Sequence, residues 1–163
     1  MKGFWSLPLV EWGTLAFCVW AARNLPNAWL VSPMDQGGWV ALTLWLVPLV
    51  WHRWRHPRTA GAVRGVFLVA GLGGALLSRL TELNAAGYAG LAVALAAWMP
   101  PGWRTWWWLA GAISWMPVLG WMLAGLTAVW VLPIRVLLAV AMSVPACRSS
   151  PLHVPMAPSP AES

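Results

Sequence analysis

Tryptophan at the ends of long apolar runs is the feature that most constrains what this chain can fold into. Sixteen of its 163 residues are tryptophan, 60% are apolar and only 9% are charged. A soluble core of this size cannot bury so many apolar side chains, whereas a lipid bilayer is itself an apolar solvent. The amphipathic indole ring favours the headgroup region at both ends of a membrane span. The tryptophans that flank apolar runs are Trp5, Trp39, Trp51, Trp54, Trp98, Trp103, Trp106 and Trp130. The sequence therefore predicts an all-α, polytopic integral membrane helix bundle.

The spacing of the apolar runs predicts about five transmembrane helices, with six as the alternative. The first four are expected at residues 7–22, 38–51, 65–80 and 83–99, with a loop or re-entrant stretch at 24–38. Residues 1–145 are expected to form one transmembrane helical domain. Residues 146–163 are rich in proline and serine and are expected to be a disordered tail.

The apolar region at residues 106–144 decides between five and six spans. As one helix it would be about 58 Å long, too much for one span of a core about 30 Å thick. Two spans would place Arg135 near the bilayer midplane, at a cost of about 2.5–3.5 kcal/mol. The preferred alternative is one tilted helix over 109–132, with Arg135 just outside it and 136–144 along the membrane surface. That arrangement gives five spans and an external C-terminus.

Basic residues are concentrated in one short segment between two apolar runs. Arg53, Arg55, Arg58 and Arg64 lie there with no acidic residue among them. By the positive-inside rule, this predicts that the N-terminus and residues 52–64 are cytoplasmic. The net charge of +6 is thereby explained without nucleic acid as a partner. Nine arginines against one lysine, with abundant Ala, Gly and Pro, favour a bacterial source and the inner membrane.

Five polar residues in or near the predicted spans are the candidate polar membrane site. Ionisable groups at membrane depth are functional candidates by default. Arg79 and Glu82 stand three apart and can pair if the helix continues between them. The competing interpretation is a span end where both side chains reach water. The full set of candidates is Arg79, Glu82, Asn84, Glu11 and Arg135.

Small residues recur every four positions in the third and fourth predicted spans. Such stripes let two helix backbones approach closely, and they predict a tightly packed hairpin. Gly71 is expected to lie off this interface. The residues of the two stripes are Ala70, Gly74 and Ser78, and Ala86, Gly90 and Ala94.

Motifs for catalysis, cofactor binding or metal binding do not rise above background in the sequence. His52 and His56 have a metal-like spacing, but Arg53 and Arg55 are interleaved, which favours a solvated basic loop. The leading hypothesis is a small non-enzymatic accessory, assembly or scaffold subunit of a membrane complex. Its expected partners are the lipid bilayer and a membrane protein or further copies of the chain. The alternatives are a small transporter or channel, and an intramembrane enzyme of unknown type.

Overall fold

The computed structural model describes residues 9–55, 62–100 and 102–147. Most of these residues are helical. No strand occurs in these ranges, so the predicted all-α class is confirmed. The eight α-helices are α1 (Leu9–Ala21), α2 (Leu25–Val31), α3 (Gly38–Arg55), α4 (Ala62–Thr81), α5 (Asn84–Ala96), α6 (Trp103–Ala110), α7 (Pro117–Met122) and α8 (Ala128–Cys147). A short 3₁₀ helix, Gly111–Ser114, follows α6 directly.

A three-helix group is formed by α1, α4 and α5. The helices α4 and α5 make a hairpin through a two-residue link, in which Glu82 has a φ of 59°, in the left-handed region. Helix α1 packs across both. At Gly87 of α5, an added Cβ would lie 2.9 Å from the carbonyl oxygen of Ala21, so the small residue permits this close approach.

The second group contains α3, α6, the 3₁₀ helix and α8. Helix α8 runs parallel to α3, because Gly37 before α3 packs on Leu132, whereas Trp45 and Met142, farther along the two helices, both pack on Gly111. Gly111 packs on Met142, whereas Ser114, later in the chain, accepts a bond from Arg135, earlier in α8, so the 3₁₀ helix runs antiparallel to α8. The end of α3 and the end of α8 therefore lie on the same side of the molecule.

Tryptophan side chains form much of the core between these helices. The indole rings of Trp45 and Trp108 stack with centroids 4.0 Å apart and planes at 9°. Each ring N–H donates to the other residue's carbonyl oxygen at 2.7 Å. Trp115 packs against Trp45 at 5.5 Å. All three rings are fully buried. The reciprocal bonds between Trp45 and Trp108 fasten α3 to α6.

The predicted spans at 38–51, 65–80 and 83–99 correspond to α3, α4 and α5. The single helix predicted at 109–132 is wrong. Pro117, which lacks an N–H and disfavours helical geometry in the residue before it, stands at the break between the 3₁₀ helix and α7. Residues 136–144, predicted as a separate surface stretch, continue the helix that contains Arg135 and belong to α8, where Ala139 is fully buried. Helix α8 continues to Cys147, and the rest of the predicted tail lies outside the described residues.

Two helices are long and apolar enough to cross a membrane. Their qualifying segments are Arg64–Thr81 in α4 and Val129–Cys147 in α8, and α5 is a shorter apolar helix. Only 22% of each segment is buried inside the molecule. The core helix of a soluble protein would be mostly buried, so both helices present most of their surface to the surroundings.

Candidate functional site

The most deeply buried charge in the described chain is the guanidinium group of Arg135, whose side chain has 0% exposure. Arg135 is the eighth residue of α8, about 10 Å from the start of the helix. It is also the only charged residue in the apolar segment Val129–Cys147. Burying a charge is costly unless it is paired and hydrogen-bonded, so its partners determine what this site is.

Arg135 caps the break between the 3₁₀ helix and α7. Its Nη1 donates to the carbonyl oxygen of Ser114 at 2.8 Å and to that of Met116 at 3.1 Å. The intervening carbonyl, of Trp115, accepts a bond of 2.9 Å from the Trp29 indole N–H. A helix end leaves its last carbonyls unpaired, and a buried unpaired carbonyl costs free energy. The buried Arg135 and the half-buried Trp29 thus satisfy three successive carbonyls at the break.

Asp35 supplies the counter-charge from the turn between α2 and α3. Its Oδ1 accepts from Arg135 Nη2 at 2.6 Å, and the same nitrogen lies 3.3 Å from the Met34 carbonyl oxygen. The Asp35 N–H donates to the Ser32 carbonyl at 2.9 Å, which closes the turn. Burial raises the pKa of the Asp35 carboxyl, and the charge of Arg135 opposes that shift. The pair joins α8 to the start of α3.

Gly120 of α7 is packed directly on this pair. An added Cβ would come within 2.8 Å of the Met34 carbonyl oxygen and 3.0 Å of Arg135 Nη2. One polar atom each of Arg135, Ser114 and Trp115 is buried without a hydrogen-bond partner: Arg135 Nε, Ser114 Oγ and Trp115 Nε1. The site therefore combines a neutralised charge pair with spare donors in a tightly packed surrounding.

A second charged group lies at the opposite end of α3. Glu11 of α1 forms an ion pair with Arg64 of α4. Arg53 of α3 is 7% exposed, and the charges of both residues act on it. Glu11 and Arg135, two of the five candidates from the sequence, are thus each in a charge pair, but at opposite ends of α3.

The predicted pair of Arg79 and Glu82 is not formed. The Arg79 guanidinium lies over the Trp20 ring, 4.3 Å from its centroid. Glu82 is exposed in the link after α4. Asn84 accepts a bond of 3.1 Å from Asn24. Helix α4 ends at Thr81, because Glu82 has a positive φ. The helical spacing assumed for the pair therefore does not apply.

The predicted hairpin packing is present at Gly74 and Gly90: a Cβ on Gly74 would lie 2.9 Å from the Gly90 Cα. Ser78 and Ala94 are buried and Ala86 is half-buried, whereas Ala70 is exposed. The expectation that Gly71 lies off the interface is wrong, since its Cβ would come within 2.8 Å of the Ala94 nitrogen. A strict four-residue spacing drifts around a helix of 3.6 residues per turn, so the interface passes through residue 71 instead of 70.

Asp35 and the buried tryptophans were missed from the sequence. Asp35 lies in a stretch predicted to be a loop. The chain has only four acidic residues, so each is a candidate partner for a buried arginine. Trp98 flanks an apolar run, yet it is buried in the core. The other boundary tryptophans in the described ranges are exposed, namely Trp39, Trp51, Trp54, Trp103, Trp106 and Trp130.

Metal-binding chemistry has no obvious centre in the described part of the chain, where no three His, Cys, Asp or Glu side chains are grouped. Comparison with protein-family models, with curated proteins and with solved structures finds no match to this chain. The geometry of the two charged groups and the distribution of apolar surface are therefore the observations that bear on function.

Proposed function

We propose that this protein is a small polytopic integral membrane protein that serves as an accessory, assembly or scaffold subunit of a larger complex in a bacterial inner membrane. Helix α8 carries the proposal. It hides its single charge, Arg135, at 0% exposure while only 22% of its apolar segment is buried. A soluble protein would place charge outside and apolar residues inside. The reverse arrangement suits a helix surrounded by lipid.

Exposed apolar side chains on α4 and α8 support the same conclusion. Soluble monomers rarely expose large contiguous apolar patches. Here each of the two helices exposes five large aliphatic side chains: Val66, Val69, Leu76, Leu77 and Leu80 on α4, and Val129, Leu132, Leu137, Val140 and Val144 on α8.

The topology that fits the packing has six crossings, with the broken segment α6–α7 as the fifth. Non-helical backbone at membrane depth is tolerated where it is buried in protein. Arg135 and Trp29 satisfy the carbonyls of this break from inside the bundle. Because α3 and α8 run in parallel, the C-terminal end of α8 then lies on the same side as the basic residues after α3. By the positive-inside rule this is the cytoplasmic side.

The way the buried polar groups are used supports an accessory role. Arg135 is engaged by Asp35 and by main-chain carbonyls, and Arg64 is engaged by Glu11. Both pairs fasten helices of the same chain together. The large exposed surface is apolar, which suits contacts with lipid and with helices of another membrane protein.

Site-specific photo-crosslinking tests this role. A photoreactive residue at Leu137, exposed on α8, should give a discrete protein adduct in native membranes. The partner in that adduct should also co-purify in constant ratio in mild detergent. The same residue at Trp115, a fully buried side chain of similar size, serves as the control and should give none. Adducts with lipid alone from several exposed positions, together with a chain that purifies without a partner, would contradict the accessory role.

Transport is the second candidate, favoured by the Asp35–Arg135 pair. Buried ionisable pairs beside a helix break occur along ion and proton routes in transporters. If the pair lies on such a route, Asp35→Asn should abolish the cellular function per amount of folded protein, while the partner recovered per amount of folded protein stays unchanged. Loss of partner recovery in parallel with loss of function would favour the accessory role.

A further inference from the structure

A cavity of about 170 Å³ lies between α1, α3 and α5 at the end of the molecule where α3 finishes. Apolar side chains form most of its wall, including Leu15, Leu49 and Leu95. An apolar cavity of about 150 Å³ is large enough for a benzene molecule and stays dry when empty. This one therefore has room for an apolar group of about that size, such as a segment of an acyl chain.

One charged side chain lines the cavity. Arg53 belongs to its wall and is 7% exposed. Arg64 and Glu11 are close enough for their charges to act on Arg53. Two guanidinium groups and one carboxylate leave one net positive charge beside the apolar wall. The chain's other described acidic residues are elsewhere, with Asp35 on Arg135 and Glu82 in the link after α4.

The exposed wall of the cavity is almost entirely apolar, and Trp98 contributes to it with the carbon face of its ring. The Arg53 guanidinium group therefore lies beside the cavity and not inside it. An apolar volume next to a net positive charge matches an amphiphile with an anionic head.

We propose that this cavity binds an anionic phospholipid, with an acyl-chain segment against Leu15, Leu49 and Leu95 and the phosphate oxygens at Arg53 and Arg64. The proposal rests on the proposed membrane location, in which this end faces the cytoplasmic leaflet. Anionic lipids give that leaflet its negative surface, and basic pockets between helices on this side suit their headgroups. The lipid would fasten α1, α3 and α5 together at the end where the Asp35–Arg135 pair is absent.

Native mass spectrometry of the full chain in detergent tests the proposal. Phosphatidylglycerol and phosphatidylcholine with identical acyl chains are the probes, and inorganic phosphate is the third. The wild-type protein should retain phosphatidylglycerol in preference to phosphatidylcholine. Arg53→Gln should weaken phosphatidylglycerol binding about fivefold, the effect expected for one basic residue near the headgroup, and leave phosphatidylcholine unchanged. Arg53→Lys, which keeps the charge, should retain most of the binding.

Arg79→Gln is the matched control, because Arg79 lies at the other end of α4, on Trp20. It should leave phosphatidylglycerol binding unchanged. Equal retention of both lipids by the wild type, an equal loss in Arg79→Gln, or displacement of the lipid by phosphate at similar concentration would overturn the lipid site. Carbonate-resistant membrane association of the wild type is measured alongside. Release of the wild-type protein from membranes by carbonate would instead overturn the proposed membrane location. The two failures are therefore distinguishable.

Discussion

Arg135 shows how a single residue organises the interior of this protein. Its guanidinium group meets two carbonyls at the break between the 3₁₀ helix and α7, together with Asp35 in the turn before α3. A planar fork of five donors suits this task better than the point charge of a lysine, since one group can reach several acceptors. The charge is tolerated in an apolar helix because its partners come from the same chain.

Asp35→Asn should therefore be strongly destabilising. The variant keeps the size and one acceptor oxygen of the side chain but leaves Arg135 buried without a counter-charge. Removing one partner of a buried pair costs about 3–5 kcal/mol. The exposed control Glu82→Gln should change stability by no more than about 0.5 kcal/mol. Thermal unfolding in detergent measures both.

A double-mutant cycle with Arg135→Met completes this test. If the two residues act as a pair, the double variant should be little worse than Arg135→Met alone, because Asp35 has then already lost its partner. Costs that simply add in the double variant would show that the pair contributes no coupling.

At the scale of the elements, helices α4 and α5 pack so closely that the space at each glycine of their interface decides which substitutions it tolerates. Gly90 faces Gly71 and Gly74, with its missing Cβ replaced by main-chain atoms of α4. Gly73, on the same helix as Gly71, faces open space. The hairpin therefore contains glycines that packing requires and one that it does not.

Alanine substitutions in this hairpin should lower the free energy of unfolding at some glycines and raise it at another. Gly90→Ala and Gly71→Ala should each lower the free energy of unfolding by about 1–3 kcal/mol, because the new Cβ overpacks the interface. Gly73→Ala should raise it by up to about 1 kcal/mol, since alanine is the better helix former. Unfolding in detergent distinguishes them. Similar values at all three positions would mean that the helices do not pack this closely.

Periodicity was sufficient to predict α3, α4, α5 and the hairpin, because long apolar runs and small-residue stripes are local signals. It was not sufficient for residues 103–147. There the helix breaks at Pro117 while a later helix contains Pro133 and Pro145, so proline alone does not mark the ends. What decides the break is the capping of its carbonyls by Arg135 and Trp29, which are far away in sequence. For the same reason Arg135 was recognised as a candidate but its partner Asp35 was not.

At the scale of the whole molecule, the described chain has an apolar core but also exposes many large apolar side chains and buries several of its charges. Charged groups are paired within the bundle at both ends of α3, and large apolar side chains cover much of the outer surface of α4 and α8. The parallel course of α3 and α8 places the C-terminal ends of these two helices on the same side of the molecule. If the protein lies in a membrane as proposed, this arrangement favours the six-crossing topology.

Alkaline phosphatase fusions in a bacterial host test this topology most directly, because the reporter is active only outside the cytoplasm. A fusion after Gly125, in the connection between α7 and α8, should be active. A fusion after Ser163 should be inactive, since α8 returns the chain to the cytoplasmic side. Activity at Ser163 would contradict the six-crossing topology, and inactivity at both positions would contradict a membrane-spanning chain.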